Sequence, residues 1–191
     1  MPPSKLKSHP PSIVCFISPK GGSGKTVTST ALATFLSSIG FDVLLIDTDA
    51  ATNGLTLFFL ERLLAKRRIA SVDALPRFGI FDATTQTPPN VFEVSPHLHL
   101  LPSSYSMSET ETKDVNEFHA TLKTFIENSN EYDIIILDAQ AGTDNFARVA
   151  TTLADQSVIV SEYDPISVQG IERLKVQFGS VLNPGNTWVL F

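Results

Sequence analysis

The apolar and polar positions of the chain alternate between two kinds of segment. Continuous apolar runs occur at Ile13–Ile17, Phe41–Asp47 and Tyr132–Asp138, with shorter ones at Leu98–Leu101 and Ser157–Val160. Runs this short and uninterrupted predict strands buried on both faces, as in a parallel sheet. Stretches with helical spacing lie between them. Thr26–Ile39 carries Val27, Thr30-Ala31, Thr34-Phe35 and Ser38, and Gly40 follows as a C-terminal stop. Asn53–Ala70 starts on a capping residue and carries Leu55, Leu57–Leu60 and Leu63-Leu64. It ends in Lys66-Arg67-Arg68, which suits the negative end of a helix dipole. Glu109–Asn128 sets Val115, Phe118, Leu122, Phe125 and Ile126 on one face. Phe146–Leu153 and Ser167–Phe178 are the remaining helices, and Asn186–Phe191 is a last strand. Residues 71–96, punctuated by Pro76, Pro88, Pro89 and Pro96, read as a loop-rich excursion. Residues 1–11, with four prolines, read as a disordered lead-in.

Strands alternating with helices predict an α/β, three-layer architecture around a mostly parallel central sheet flanked by helices. At 191 residues the expected organisation is one domain, 12–191, after the lead-in. A net charge of −6 argues against coating nucleic acid through bulk charge, although a local patch at Arg62, Lys66, Arg67 and Arg68 stays open beside the reading of a solvated helix end. The single cysteine, Cys15, falls inside the first apolar run and reads as a small core residue. No stretch has the apolar length of a membrane span and no signal-peptide core is visible, so a cytoplasmic protein is the expectation.

The chemistry concentrates where the first strand gives way to the first helix. Ser18-Pro19-Lys20-Gly21-Gly22-Ser23-Gly24-Lys25-Thr26 is a glycine-rich turn leading into a helix N-terminus. Such a turn gathers backbone N–H groups around an anion, and the helix dipole favours negative charge there. Gly21-x-x-Gly24-Lys25-Thr26 matches the second half of a phosphate-binding P-loop. In that motif the lysine reaches the β/γ-phosphates and the hydroxyl ligates Mg²⁺. The first glycine of the usual pattern is replaced by Pro19, and a second lysine, Lys20, follows it. Ligands of open α/β sheets sit outside the carboxyl ends of the strands. Asp47, Asp49 and Asp138 lie at or just past such ends and are expected to converge on the loop. Asp138 closes the run Ile134–Leu137 in the manner of a Walker B strand.

Lys20-Gly21-Gly22-Ser23-Gly24-Lys25-Thr26 resembles, residue for residue, the deviant Walker A motif of the ParA/MinD family of ATPases. Asp47-x-Asp49 resembles that family's first switch motif, with Ala50-Ala51-Thr52-Asn53 where the family often has Pro-Gln-Gly-Asn. Asp138-Ala139-Gln140-Ala141-Gly142 resembles its Asp-x-Pro-Ala-Gly switch, with Gln140 in place of proline. The stretches Ala154–Val160 and Pro165–Gly170 are similar to the ParA segment that follows. The likeness is vague over 54–130.

The resemblance implies a P-loop NTPase fold and a catalytic set of Lys20, Lys25 and Asp49. Lys20 would reach a partner's ATP in a nucleotide-sandwich homodimer, and Asp49 would align the attacking water or, alternatively, cap the next turn. ATP would contact Lys20, Gly21, Gly22, Ser23, Gly24, Lys25, Thr26 and Gly142, while Thr26, Asp47 and Asp138 would hold Mg²⁺. It also implies weak intrinsic hydrolysis and a stimulating partner protein, in partitioning or positioning of DNA or a protein complex. Family members continue past the last strand with elements that read adenine and contact DNA or membrane, so the domain is expected to be incomplete at its C-terminus. Related iron–sulfur carriers need paired cysteines, which one Cys15 does not supply. Two alternatives stay open. One is a non-catalytic, nucleotide-dependent interaction module. The other is a membrane-protein-targeting ATPase that uses the apolar Leu55–Leu64 segment.

Overall fold

The computed structural model describes residue 7 and residues 9–67, 79–104 and 113–191. The elements run β1 (Ser12–Ile17), α1 (Lys25–Ser38), β2 (Val43–Thr48), α2 (Gly54–Phe58), α3 (Leu60–Arg67), β3 (Phe92–Ser95), β4 (Leu98–Leu101), α4 (Val115–Glu127), β5 (Ile134–Ala139), α5 (Asn145–Leu153), β6 (Gln156–Val160), α6 (Pro165–Phe178) and β7 (Thr187–Leu190). The strands make one sheet in the order β3-β4-β2-β5-β1-β6-β7. All neighbours are parallel except β3 and β4. The expected three-layer α/β fold is therefore the observed one.

Side chains leave a strand alternately to its two faces, and the runs divide accordingly. Cys15, Ile17, Leu44, Ile46, Ile135 and Leu137 meet Phe118 and Leu122 of α4, Ala147 and Ala150 of α5, and Ile171 and Leu174 of α6. Phe16, Val43, Leu45, Ile136 and Leu100 meet Ala33 of α1, Leu55 and Phe59. Burial on both faces is why these strands carry no polar alternation.

Several elements differ from the sequence expectation, each for a local reason. In α1 the buried side chains after Lys25 are small or polar, namely Ser29, Thr30, Ala33 and Ser37, with Leu32 and Leu36 packed half-buried beside them, while Val27 and Phe35 face solvent at 65% and 59% exposure. Small side chains let the helix sit close to the sheet, and of its larger apolar residues Val27 and Phe35 lie on the outer face while Leu32 and Leu36 pack inward. The expected helix Asn53–Ala70 is broken at Phe59, which is buried with Leu55 while Leu57 and Phe58 remain exposed. Its last residues, 68–70, lie outside the described residues. Asp114 starts α4 by accepting the amides of Asn116 and Glu117. The expected earlier start, before residue 113, also lies outside the described residues. Within the stretch read as loop, β3 pairs antiparallel with β4. Its period-two pattern, Phe92-Glu93-Val94-Ser95, was hidden among prolines. The lead-in is tied down at Lys7, whose ammonium bonds Asp42 at 2.7 Å and Asp133 at 3.1 Å.

Two predictions test this core. Burial pushes the Cys15 thiol up to about 12, so a thiol reagent at neutral pH is expected to leave native protein unlabelled and to modify one thiol after unfolding. Rapid labelling of native protein would contradict the packing. Phe118→Ala, which empties a fully buried position, is expected to cost about 3–5 kcal/mol in urea unfolding.

Candidate functional site

The parallel register decides which side chains meet. Asp138 stands beside Phe16 of β1 on one side and Asp47 of β2 on the other. The chain leaves β1 through Ser18, Pro19 and the glycine loop and turns into α1 at Gly24, whose φ of 87° is a left-handed value suited to glycine. No side chain caps α1 and no acidic residue lies in its first turn, so its N-terminal N–H groups point into open space. A Cβ built on Gly21, Gly22 or Gly24 would meet nothing within 4 Å. A cleft of about 470 Å³ opens there, walled by the loop, by Asp49, Ala51 and Thr52, and by Gln140 and Ala141. The buried hydroxyls of Ser18 and Ser23 have no hydrogen-bond partner beside it. An uncapped helix end, vacant space over glycines and unpaired hydroxyls fit a polyphosphate.

Below the cleft, Lys25 Nζ donates to Asp138 Oδ1 at 2.9 Å and Thr26 Oγ1 donates to Asp138 Oδ2 at 2.7 Å. Ser29 adds a third donor to Asp138 Oδ1 at 3.3 Å. Asp138 is 1% exposed and Lys25 7%, so the pair is screened little by water. A hydroxyl and a carboxylate oxygen in contact are hard ligands suited to Mg²⁺.

The structure places the other expected residues as follows. Asp47 is beside Asp138 in register but faces α2: Oδ2 accepts the Thr56 amide and hydroxyl, both at 2.7 Å, and Oδ1 accepts the Asp49 amide at 3.0 Å. Asp49 lines the cleft and folds onto its own turn, accepting the amides of Ala51 and Thr52 on Oδ1 and the Thr52 hydroxyl on Oδ2. The capping role weighed for it is thus what its contacts show. Among the described residues the three aspartates form no cluster able to hold a metal by themselves. Gly142 reaches the loop, its N–H donating to the Ser18 carbonyl at 2.8 Å. Lys20 stands outside the cleft, pairing with Glu162 at 2.7 Å and Asp164 at 3.7 Å. These exposed pairs raise the lysine, Glu162 most.

The proline that departs from the usual loop has a structural counterpart. A Cβ on Gly170 of α6 would lie 2.7 Å from Pro19 Cβ, so the glycine makes room for the loop's proline. Sequence reading missed Glu162, Asp164, Thr56, Ser103 and Asp144. Asp164 and Asp144 cap α6 and α5, and an aspartate three residues before the bonded amide was a usable signal. Thr56 and Ser103 meet across 47 positions of sequence, which no local pattern reveals.

A glycine loop between a central parallel strand and a helix, over a lysine–hydroxyl–carboxylate cluster, defines a P-loop nucleotide-binding domain of the α/β class. The chain belongs to the ParA/MinD family of P-loop ATPases: the AAA_31 family model, an AAA domain, matches residues 11–187. An uncharacterized ATP-binding protein of Methanocaldococcus jannaschii is 27% identical over 165 residues, covering 85% of this chain and 57% of the relative. The chain thus spans less than two thirds of the length of the curated relatives it matches. A putative plasmid partition protein from Borrelia burgdorferi B31 bound to AMPPNP shares the fold with a TM-score of 0.75 at 22% identity, over 94% of this chain and 73% of that one. MinD complexed with Mg-ADP from Pyrococcus horikoshii OT3 does so with a TM-score of 0.69 at 20% identity, over 94% of this chain and 68% of that one. No helix among the described residues is long and apolar enough to cross a membrane.

One prediction follows from Asp47. Burial, aided by the charge of Asp138 and opposed by the bonds from Thr56 and the Asp49 amide, pushes its carboxyl from 3.8 up to about 7. An acid that holds its proton more tightly when folded stabilises the fold at low pH and opposes it once ionised. The stability of metal-free wild type relative to Asp47→Asn is therefore expected to fall between pH 3.8 and about 7, and to level above that. Urea unfolding across this range checks it, and a constant difference would refute it.

Proposed function

We propose that the chain is an ATP-binding and ATP-hydrolysing dimerisation switch of the ParA/MinD type. It acts in the partitioning or positioning of DNA or a protein complex, as a Mg²⁺-dependent cytoplasmic ATPase. The observation that carries this reading is the buried contact of Lys25 and Thr26 with Asp138 under an uncapped glycine loop. The plasmid partition protein bound to AMPPNP and the MinD complexed with Mg-ADP, named above, support the nucleotide and its ion.

Each residue takes the role that the family resemblance implies for it. The backbone of Gly21–Thr26 and the α1 N-terminus receive the phosphates. Lys25, now paired with Asp138, turns to the β/γ-phosphates. Thr26 and Asp138, with Asp47 beside Asp138 in register, would hold Mg²⁺, which when bound would neutralise phosphate charge. Gly142 exchanges its bond to the Ser18 carbonyl for the γ-phosphate. Asp49 aligns water after giving up one contact with Thr52. Lys20 leaves Glu162 and Asp164 for the ATP of a second copy, at small cost because exposed ion pairs contribute little. Weak hydrolysis leaves room for a stimulating partner.

Lys25→Ala is expected to weaken Mg-ATP binding at least about tenfold by calorimetry, as loss of a buried charged contact. Lys20→Ala is expected to keep ATP binding and lose ATP-dependent dimerisation, read by light scattering. A Lys20→Ala protein that dimerises like wild type would sink the cross-subunit role. A second reading has its own observation: both Asp49 oxygens are occupied by the adjoining turn, as suits a non-catalytic nucleotide-dependent interaction module. Wild type and Asp49→Ala sharing background turnover would select that reading.

A further inference from the structure

The carboxylate of Asp47 begins a chain of buried polar contacts that leads away from the nucleotide cleft. Thr56 of α2 gives it both an amide and a hydroxyl bond. Behind Thr56 stands Ser103, just after β4. The Ser103 amide donates to Thr56 Oγ1 at 2.9 Å, and its hydroxyl donates to Asn53 Oδ1 at 2.7 Å. Thr56 is 2% exposed and Ser103 is fully buried. Asn53 holds a φ of 50°, a left-handed value uncommon outside glycine, at the turn where the Asp49 loop enters α2. The Ser103 bond clamps that turn.

Ser103 is itself fixed from the far side. Ile80 and Phe81 donate their amides to the carbonyls of Pro102 and Ser103, each at 2.9 Å. A Cβ on Gly79 would lie 2.1 Å from the Ser103 carbonyl oxygen, so a side chain there would displace Ser103 or the loop. Phe81 in turn stacks on Phe118 with ring centroids 4.7 Å apart.

We propose that Ser103 is a positioning residue of the nucleotide site. Through Thr56 and Asn53 it holds the 47–56 segment, and so Asp47 and Asp49, in one arrangement against the rigid end of β4. This rests on the ATPase reading above. A pair of buried hydroxyls adds little net stability over apolar groups of the same shape. What it adds is direction, because each bond fixes one geometry of the turn.

The test combines Ser103→Ala, Thr56→Val and Thr56→Ser with two readouts. In steady-state hydrolysis, Ser103→Ala and Thr56→Val are expected to lower kcat about tenfold with KM for Mg-ATP within about twofold, the pattern of misplaced catalytic groups over intact binding. Thr56→Ser, which keeps the hydroxyl, is expected to restore kcat. In nucleotide-free protein, amide exchange at Ala51, Thr52 and Thr56 is expected to rise about tenfold in Ser103→Ala while β5 amides keep their protection. Unchanged exchange at those three amides, or equal kcat in all variants of an active wild type, overturns the proposal. A general rise that includes β5 also overturns it, by showing loss of fold instead of loss of position. A wild type without nucleotide binding or turnover defeats the ATPase reading, and the exchange measurement still decides whether Ser103 holds the turn.

Discussion

The site depends on one alignment: three parallel strands ending level, so that Asp138 lies between Phe16 of β1 and Asp47 of β2. With Asp138 at that height, the loop that leaves β1 can return its first helical residues, Lys25 and Thr26, onto the carboxylate. The alignment is held by apolar packing on both faces of the sheet, since a slip of one residue would send every side chain to the wrong face. The geometry of the candidate phosphate site at the rim thus rests on hydrocarbon packing several residues below it.

Around this centre, four of the groups given roles under the proposed function have a partner within the chain, while the glycine loop and the Ser23 hydroxyl stand open. Lys25 has Asp138, Lys20 has Glu162, the Gly142 amide has the Ser18 carbonyl, and Asp49 has Thr52. Exchanging one hydrogen bond for another changes free energy far less than breaking it outright. Under the proposed function, nucleotide would replace these four contacts one by one. Pro19 belongs to the same economy of fit, since α6 presents Gly170 where the proline would otherwise collide.

The parts legible in the sequence were those with a local signature. Buried parallel strands show as unbroken apolar runs, and the phosphate loop shows as a fixed spacing of Gly21, Gly24, Lys25 and Thr26. These gave the fold class, the position of the cleft and the pairing of the P-loop with Asp138. Orientation was not legible. Nothing in Val27-x-x-x-x-x-x-x-Phe35 says which face of α1 meets the sheet, because the deciding factor is how closely Ser29, Thr30, Ala33 and Ser37 allow it to approach. The turn of Asp47 toward Thr56, and the joining of Thr56 to Ser103, arise from contacts far apart in the chain. The hairpin strand β3 was obscured because the proline at its end reads as a loop signal.

The two rims of the sheet are unlike. On one side β3 is antiparallel and irregular, its register shifting between Glu93 and Ser95, a deformation that discourages further pairing. On the other, Thr187-Trp188-Val189-Leu190 is uncharged and mostly solvent-facing, and among the described residues it pairs only with β6. Among the described residues, β7 thus lacks the bulge and the charge that guard an edge strand, whereas β3 carries both.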